Sequence, residues 1–478
     1  MATIDGRVRE LPRSYWIAGL LGAYACVFAA SPNPTAAAAL SVPLLAIPFV
    51  LWTLQTTGRW LWCFFFAALL LPPLPFALGN SGPHVAVALA ALGLLCGALR
   101  LPEWRLKRDL LPFAMAVFFL VLLASSALAV FYSGLNVAAG SLARVMLFGI
   151  PLYVFFYSAY GPGVTTQEDP LRWTRLLFWF GVFSALFACV DFYYQFPAPA
   201  GYGPQFIWLD SGIYRRAQGF FYEASTLGNV CAFFLIMIAV TLLRGRRGVV
   251  PLSRLALWFG APVLFAALVL SYSRASLLNL FVALAALLYM ERVRIRIGRL
   301  LAIAASCLAA GSLAAWQLFP EVVSGYWLRL VYSQFFFTQP GSVLSGRVAS
   351  WQAIAAFLAA HPWHAILGIG YKTLPYSNFI GQTIVADNMY LSLLVETGIL
   401  GLAAFLLLNF AILRAAWRAA RRHDSRASFF GSWVFCFWIG QLFQMLSGDL
   451  FTYWRVLPVY FWVLAMAARR LRQFPLNE

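Results

Sequence analysis

The sequence predicts an all-α polytopic integral membrane protein with about 12–14 transmembrane helices. Three observations predict it. Of 478 residues, 62% are hydrophobic and only 10% are charged, with a mean hydropathy of +0.80, outside the range of soluble domains. Apolar stretches of about 20 residues, the helix length that crosses hydrocarbon, recur along the chain. The basic residues behind the formal charge of +18 form short clusters between these stretches. That pattern suits loops on an anionic cytoplasmic leaflet and argues against nucleic acid as a partner.

Hydropathy breaks place spans near 15–31, 36–54, 60–78, 84–101, 111–132, 138–159, 173–194, 222–243, 255–272, 275–291, 300–319, 389–413, 427–446 and 451–468. The first follows Arg7, Arg9 and Arg13 and ends in SPNP without a small-residue cleavage pattern, so it is expected to be a membrane helix and not a cleaved signal. Alternate loops carry 26 of the 34 basic residues, which puts both termini in the cytoplasm by the positive-inside rule. The seven cysteines fall inside apolar spans with no CxxC pair, as small core residues do.

Eight basic residues break the charge bias: Arg144, Arg215, Arg216, Arg274, Arg329, Arg347, Lys372 and Arg455. Two long stretches share their side, 195–221 and 320–388. The second is rich in Trp, Tyr and Phe and is expected to be an ordered cap. The chain divides into N-terminal helices (1–210), a central region with the cap (211–413) and C-terminal helices (414–478), without a repeat or a soluble domain.

Chemistry-bearing residues concentrate on that face. GIYRRAQGFFYEASTLGN (212–229) carries Arg215, Arg216 and Glu223 just before an apolar helix. A guanidinium there suits phosphate, because its planar fork donates two hydrogen bonds at once; the plainer reading is an Arg that snorkels or pairs with Glu223. SYSRASLL (271–278) sets Arg274 in a minimal turn between two helices, and the two arginine sites could clamp a diphosphate. In the long loop a helix beginning near Ser350 would put Arg347 at its start, and the Gly368–Gly370 stretch allows backbone to approach a ligand closely. His361 and His364 flank a proline with no third ligand nearby, so hydrogen bonding is expected there and no metal.

VADNMYLSLLVETGILGL (385–402) sets Asp387 and Asn388 directly before an apolar run and Glu396 within it. Asp387 fits either a helix N-cap or a general base. Glu396 is expected to pair with one of the outer-face arginines, with Gly398 and Gly401 allowing close helix packing. No GxxxxGK[ST], GxGxxG, DxD or GxSxG pattern is present, which disfavours nucleotide-driven chemistry. A transporter or flippase would carry charges near the midplane and paired broken helices. Here the candidates gather at one face.

Together these residues resemble the O-antigen ligase and polymerase family of bacterial envelope glycosyltransferases. The resemblance rests on Arg216-x-x-Gly219-x-Phe221-x-Glu223, Ser273-Arg274, Gly346-Arg347 with Trp351, His361-Pro362 before Gly368-x-Gly370, and Asp387-Asn388-x-Tyr390-Leu391 with Glu396-x-Gly398-x-x-Gly401. It implies a multi-pass helical fold akin to the lipid-dependent (GT-C-like) glycosyltransferases, in a bacterial inner membrane, with a periplasmic active site. It also implies transfer of a glycan from polyprenyl (undecaprenyl) diphosphate to a hydroxyl without nucleotide, metal or other cofactor. Arg216 and Arg274 would hold the diphosphate as catalytic residues with Asp387 as base, while Arg215, Arg347, Glu223, Asn388, His361 and Tyr390 would bind substrate. Ligase-like members tend to have His where this chain has Asp387, and Pro-Asn where it has Glu223. Both departures point to a polysaccharide polymerase acting on a second lipid-linked repeat unit, with a chain-length regulator as a possible partner, ahead of a ligase acting on lipid A-core or protein.

Overall fold

In the computed structural model the described residues are 22, 24–26, 29, 46–74, 82–161, 169–199, 201–209, 212–244, 252–291, 316–317, 320–333, 347–376 and 384–469. Most of the spans expected at 15–31 and 300–319 lies outside them, as do Gly346 and the side chain of Arg329. Residues Met1–Trp60 form one unit and Leu61–Glu478 another. In the first, α1 (Ala46–Gln55) is followed by Arg59, whose guanidinium donates to the Trp52 carbonyl at 2.8 Å.

The second unit is helical. After α2 (Arg59–Leu70) come α3 (Val85–Ala98), α4 (Leu110–Ser133), α5 (Leu135–Tyr160), α6 (Pro170–Tyr194), α7 (Ala224–Arg244), α8 (Arg254–Leu270) and α9 (Arg274–Glu291). The cap contributes α10 (Pro320–Ser333), α11 (Arg347–Ala360) and α12 (Pro362–Leu367), and the chain returns through α13 (Met389–Ala420), α14 (Ser425–Gln444) and α15 (Leu457–Ala468). Among the described residues six helices, α4, α5, α6, α7, α9 and α13, are long and apolar enough to cross a membrane. The protein is a multi-pass all-α membrane protein. Helix starts are written locally: the side chains of Asp109, Asp169, Ser253 and Asp424 each accept a backbone N–H of the first turn of α4, α6, α8 and α14.

Packing centres on α14, which touches α7, α9, α13 and α15. Between them lies a buried polar network. The Asn229 and Asn279 amides donate to both Gln441 and Gln444 at 2.7–3.1 Å, and the Tyr460 hydroxyl donates to Asn229 at 2.5 Å. Interhelical bonds of this kind contribute about 0.6–2 kcal/mol each in lipid, and they tie together the four helices beneath the outer arginines. At the opposite end of α7, Arg244 pairs with Glu291 and donates at 3.1 Å to the Ala420 carbonyl and the Ser428 hydroxyl.

Two features depart from the sequence expectation. The stretch after α6 holds an antiparallel hairpin, β1 (Phe206–Leu209) with β2 (Gly212–Arg215), in the register Phe206 opposite Arg215. Second, α13 is broken at Gly398, whose φ of +68° is closed to ordinary side chains. The break is closed by the cap and α4: the Ile369 and Gly370 amides donate to the Val395 and Glu396 carbonyls at 3.1 and 2.9 Å, and the Ser125 hydroxyl of α4 donates to the same Glu396 carbonyl at 2.9 Å. Irregular backbone at a membrane helix persists where protein satisfies its polar groups. Gly398 thus allows the close helix packing expected of it, while Gly368 serves backbone packing where close approach to a ligand was expected. A Cβ on Gly398 would sit 2.1 Å from the Ile366 carbonyl oxygen and one on Gly368 2.4 Å from that of Glu396.

Candidate active site

The first arginine element is built by the hairpin. Arg215 ends β2 and turns to Asp191 at the end of α6, 3.5 Å away. Arg216 begins the descent into α7: its amide donates to the Gln205 carbonyl and the next amide, Ala217, to Leu270 at the end of α8, both at 2.9 Å. Its Nε donates to the Ser271 carbonyl at 2.9 Å, anchoring one edge of the guanidinium. Burial lowers the Arg216 pKa, opposed by Tyr453, Tyr326 and Glu223, while Arg347 lowers it further. Below it the short 3₁₀ turn Gly219–Phe221 is pinned by Arg455, which donates to the carbonyls of Phe220 (2.5 Å), Leu71 (2.7 Å) and Ala68 (3.0 Å). Arg455 is thus a structural brace.

The second element is the turn between α8 and α9. Tyr272 takes φ +49°, which lets the chain reverse in three residues and start α9 at Arg274. Gly228 makes room for this turn, since a Cβ there would lie 2.9 Å from the hydroxyls of Ser271 and Ser276. From the cap, Tyr326 of α10 stacks on Tyr272 with centroids 5.0 Å apart and donates its hydroxyl to the Val269 carbonyl at 2.7 Å.

The third element comes from the cap. Helix α11 starts at Arg347, as the sequence suggests, and one turn on the Trp351 indole donates to the Ala386 carbonyl at 2.8 Å. That bond holds the segment before α13 against α11, so Arg347 Nε meets the Asp387 carboxylate at 3.2 Å. The cap is docked by Ile354, Ile369, Leu374, Ile384, Ala386 and Val395, all buried. Each larger apolar side chain contributes about 1.5–3 kcal/mol relative to exposure. Arg347 lies within electrostatic reach of both Arg216 and Arg274. Three guanidiniums so gathered repel one another, and an anion among them relieves the repulsion.

Asp387 is not the helix cap. Asn388 is: its Oδ1 accepts the Tyr390 and Leu391 amides at 3.0 and 3.1 Å, while Asp387 takes φ +44° and remains exposed. The cap explains Asn388 without any substrate.

Behind Asp387 lies a cavity of about 400 Å³, lined among others by Arg144, Lys372, Tyr376, Asp387, Glu396 and Asp449. Glu396 is buried within α13 and its Oε1 accepts the Leu374 amide at 3.2 Å. Its foremost charged neighbour is Lys372 of the cap, with the outer-face Arg144 a weaker one. Lys372 forms an ion pair with Asp449. Burial brings the Lys372 pKa down to about 8, with Glu396 opposing the fall and Arg144 adding to it.

Residues 255–406 match the family model described as O-antigen ligase. The chain is similar to the O-antigen ligase family over about a third of its length. No curated protein matches the chain. The matched region holds Arg274, Arg347, Lys372, Asp387 and Glu396, while Arg216, Glu223 and Asp449 reach the same site from outside it.

Three expected substrate contacts in the matched region and its flank are engaged elsewhere. Tyr390 donates its hydroxyl to the Leu442 carbonyl at 3.0 Å, joining α13 to α14. His361 stands at the far end of α11, about 20 Å along the helix axis from Arg347, where it packs against Phe357 and His364. Glu223 accepts the Thr226 hydroxyl at 2.7 Å at the start of α7, and burial pushes its carboxyl pKa up. Sequence reading missed Arg144 and Asp449 as cavity residues. Arg144 carried a signal, a cation on the side the charge bias avoids; Asp449 carried none beyond being one of 16 acidic residues.

Proposed function

We propose that the protein transfers a glycan from polyprenyl diphosphate to a hydroxyl of a second lipid-linked glycan, as a polysaccharide polymerase working on the periplasmic face of the inner membrane. The observation that carries this reading is the convergence of Arg216, Arg274 and Arg347, with Asp387 held on Arg347 at 3.2 Å. The guanidiniums bind the donor diphosphate and offset the charge that grows on it as the anomeric C–O bond breaks. Asp387 takes the proton of the acceptor hydroxyl while that oxygen attacks the anomeric carbon from the opposite face, inverting it. The proton ends on Asp387 and the electron pair on the leaving lipid diphosphate. Once protonated, Asp387 releases Arg347 to the diphosphate. Ligation to lipid A-core is a second reading, favoured by the description of the matched family; it uses the same donor site.

The test is transfer by purified protein from a polyprenyl-diphosphate oligosaccharide, without metal or nucleotide, for wild type and Asp387→Asn. A ladder of longer lipid-linked glycans that vanishes in the variant supports the reading. Product formed only on adding lipid A-core moves the acceptor to ligation, and full activity in the variant removes Asp387 as base.

A further inference from the structure

The donor side and the cavity behind Asp387 differ in charge. Around the donor position stand Arg216, Arg274 and Arg347. The cavity wall sets three carboxylates, Asp387, Glu396 and Asp449, against two cations, Lys372 and Arg144, with Arg347 pairing Asp387 from outside the wall. Both cations are engaged within the wall. Lys372 pairs with Asp449, while Arg144 donates at 3.2 Å to the Lys372 carbonyl and to the Tyr376 hydroxyl and lies over that ring. A diphosphate or a carboxylate entering here would meet carboxylates and no unengaged cation of the wall.

One acceptor in the wall lacks a protein partner. Glu396 is 2% exposed, and its Oε2 is buried without a hydrogen bond although the residue lines the cavity. A buried carboxylate oxygen needs a donor, and a sugar hydroxyl is a neutral donor that the wall's charge does not repel. The remaining wall alternates aromatic faces with hydroxyls, Tyr376 and Trp454 beside Ser392 and Thr452, and the volume of about 400 Å³ is that of a small-molecule site. Asp387 belongs both to this wall and to the pair with Arg347, so its carboxylate joins the two compartments.

We propose that this cavity is the acceptor subsite and that it takes the neutral, hydroxyl-rich end of a glycan, with Glu396 Oε2 accepting a sugar hydroxyl and Asp387 facing the hydroxyl that reacts. The inference rests on the transferase reading above. The subsite excludes the donor diphosphate by charge, which keeps the two lipid-linked substrates from exchanging places. It also discriminates among acceptors: a terminal uronic acid brings a carboxylate into a wall that has no unengaged cation for it.

The experiment measures donor and acceptor KM separately in the transfer assay, with wild type, Thr452→Trp to fill the cavity and Tyr376→Ala to remove an aromatic wall. Lipid-linked acceptors ending in a neutral hexose and in the matching uronic acid are compared. The expected result is a rise of tenfold or more in acceptor KM for both variants at unchanged donor KM, which also reports an intact fold. Wild type should use the neutral acceptor at least tenfold better. If wild type transfers glycan but both variants keep the wild-type acceptor KM, the subsite is wrong while the transferase reading stands. Equal or better use of the uronic acid overturns the charge argument. If wild type transfers nothing from the lipid diphosphate to either acceptor, the transferase reading falls and the subsite with it.

Discussion

Asp387 and Asn388, adjacent in the chain, do different work. An Asp-Asn pair before an apolar run reads equally as a cap or as a base, and only coordinates separate them: Asn388 satisfies the orphan amides of α13 and Asp387 turns to Arg347. Asn388→Ala should therefore lower stability by about 1 kcal/mol, the usual worth of an N-cap, seen as a lower thermal midpoint with acceptor KM unchanged. A raised KM at unchanged midpoint would return Asn388 to the substrate. Arg274 was legible for a different reason, as a cation where topology gives it no excuse. If it grips diphosphate with two parallel donors, Arg274→Lys keeps the charge and loses the fork, so kcat/KM should fall about 10–100-fold, or about 1.4–2.7 kcal/mol. Wild-type turnover in that variant would dismiss the clamp.

At the scale of elements, the break in α13 is the feature that makes the site. A continuous helix would keep the Val395 and Glu396 carbonyls in its own ladder, and the loop 368–374 would have nothing to pair with. Because Gly398 opens the helix, the cap docks on it and delivers Lys372 and the Leu374 amide to Glu396. Gly398→Ala imposes both a left-handed backbone on Ala and a clash with the Ile366 carbonyl. We expect a loss of at least about 1–3 kcal/mol, the range for a strained backbone, together with loss of transfer, measured by thermal denaturation and by the ladder assay. A variant as stable and active as wild type would show that the break does not hold the cap. The same motifs read in sequence, Glu396-x-Gly398 and Gly368-x-Gly370, suggested helix packing and ligand approach; Gly368 and Gly398 in fact meet each other's backbone segments, while Gly370 packs on Ala129. The β1–β2 hairpin was also within reach of the sequence, since FIWLDSGIYR has aromatic and β-branched residues on both sides of Asp-Ser-Gly, a turn-favouring composition. It was hidden by being short within a helical chain.

For the whole molecule, the bundle gathers on one end what the chain scatters: Arg216 before α7, Arg274 at the start of α9, Arg347 at the start of α11, and Asp387 before α13. Alternating helix direction brings these starts together, and the Arg244–Glu291 pair marks the other end. Orientation in the membrane follows from the charge bias. A cysteine at Val385, 54% exposed in the cap, should react with an impermeant thiol reagent added outside spheroplasts, and one at Arg421 should react only after lysis. The opposite labelling pattern would invert the topology and put the arginines on the cytoplasmic side.

The sequence by itself determined the class of protein and the face on which the candidate residues gather. Both follow from quantities a chain carries locally: apolar segment length matched to hydrocarbon thickness, and cations placed against the topological bias. It also determined which arginines and which carboxylate to suspect, because a charge beside a membrane helix has few structural reasons to be there. What only the tertiary structure decided was the division of labour among them. That Asn388 caps while Asp387 faces Arg347, that Glu396 answers Lys372, that His361 stands about 20 Å away along α11, and that Asp449 from beyond α14 closes the cavity all depend on contacts between residues distant in sequence. Such contacts are set by helix packing and by one broken helix, and no local pattern encodes them.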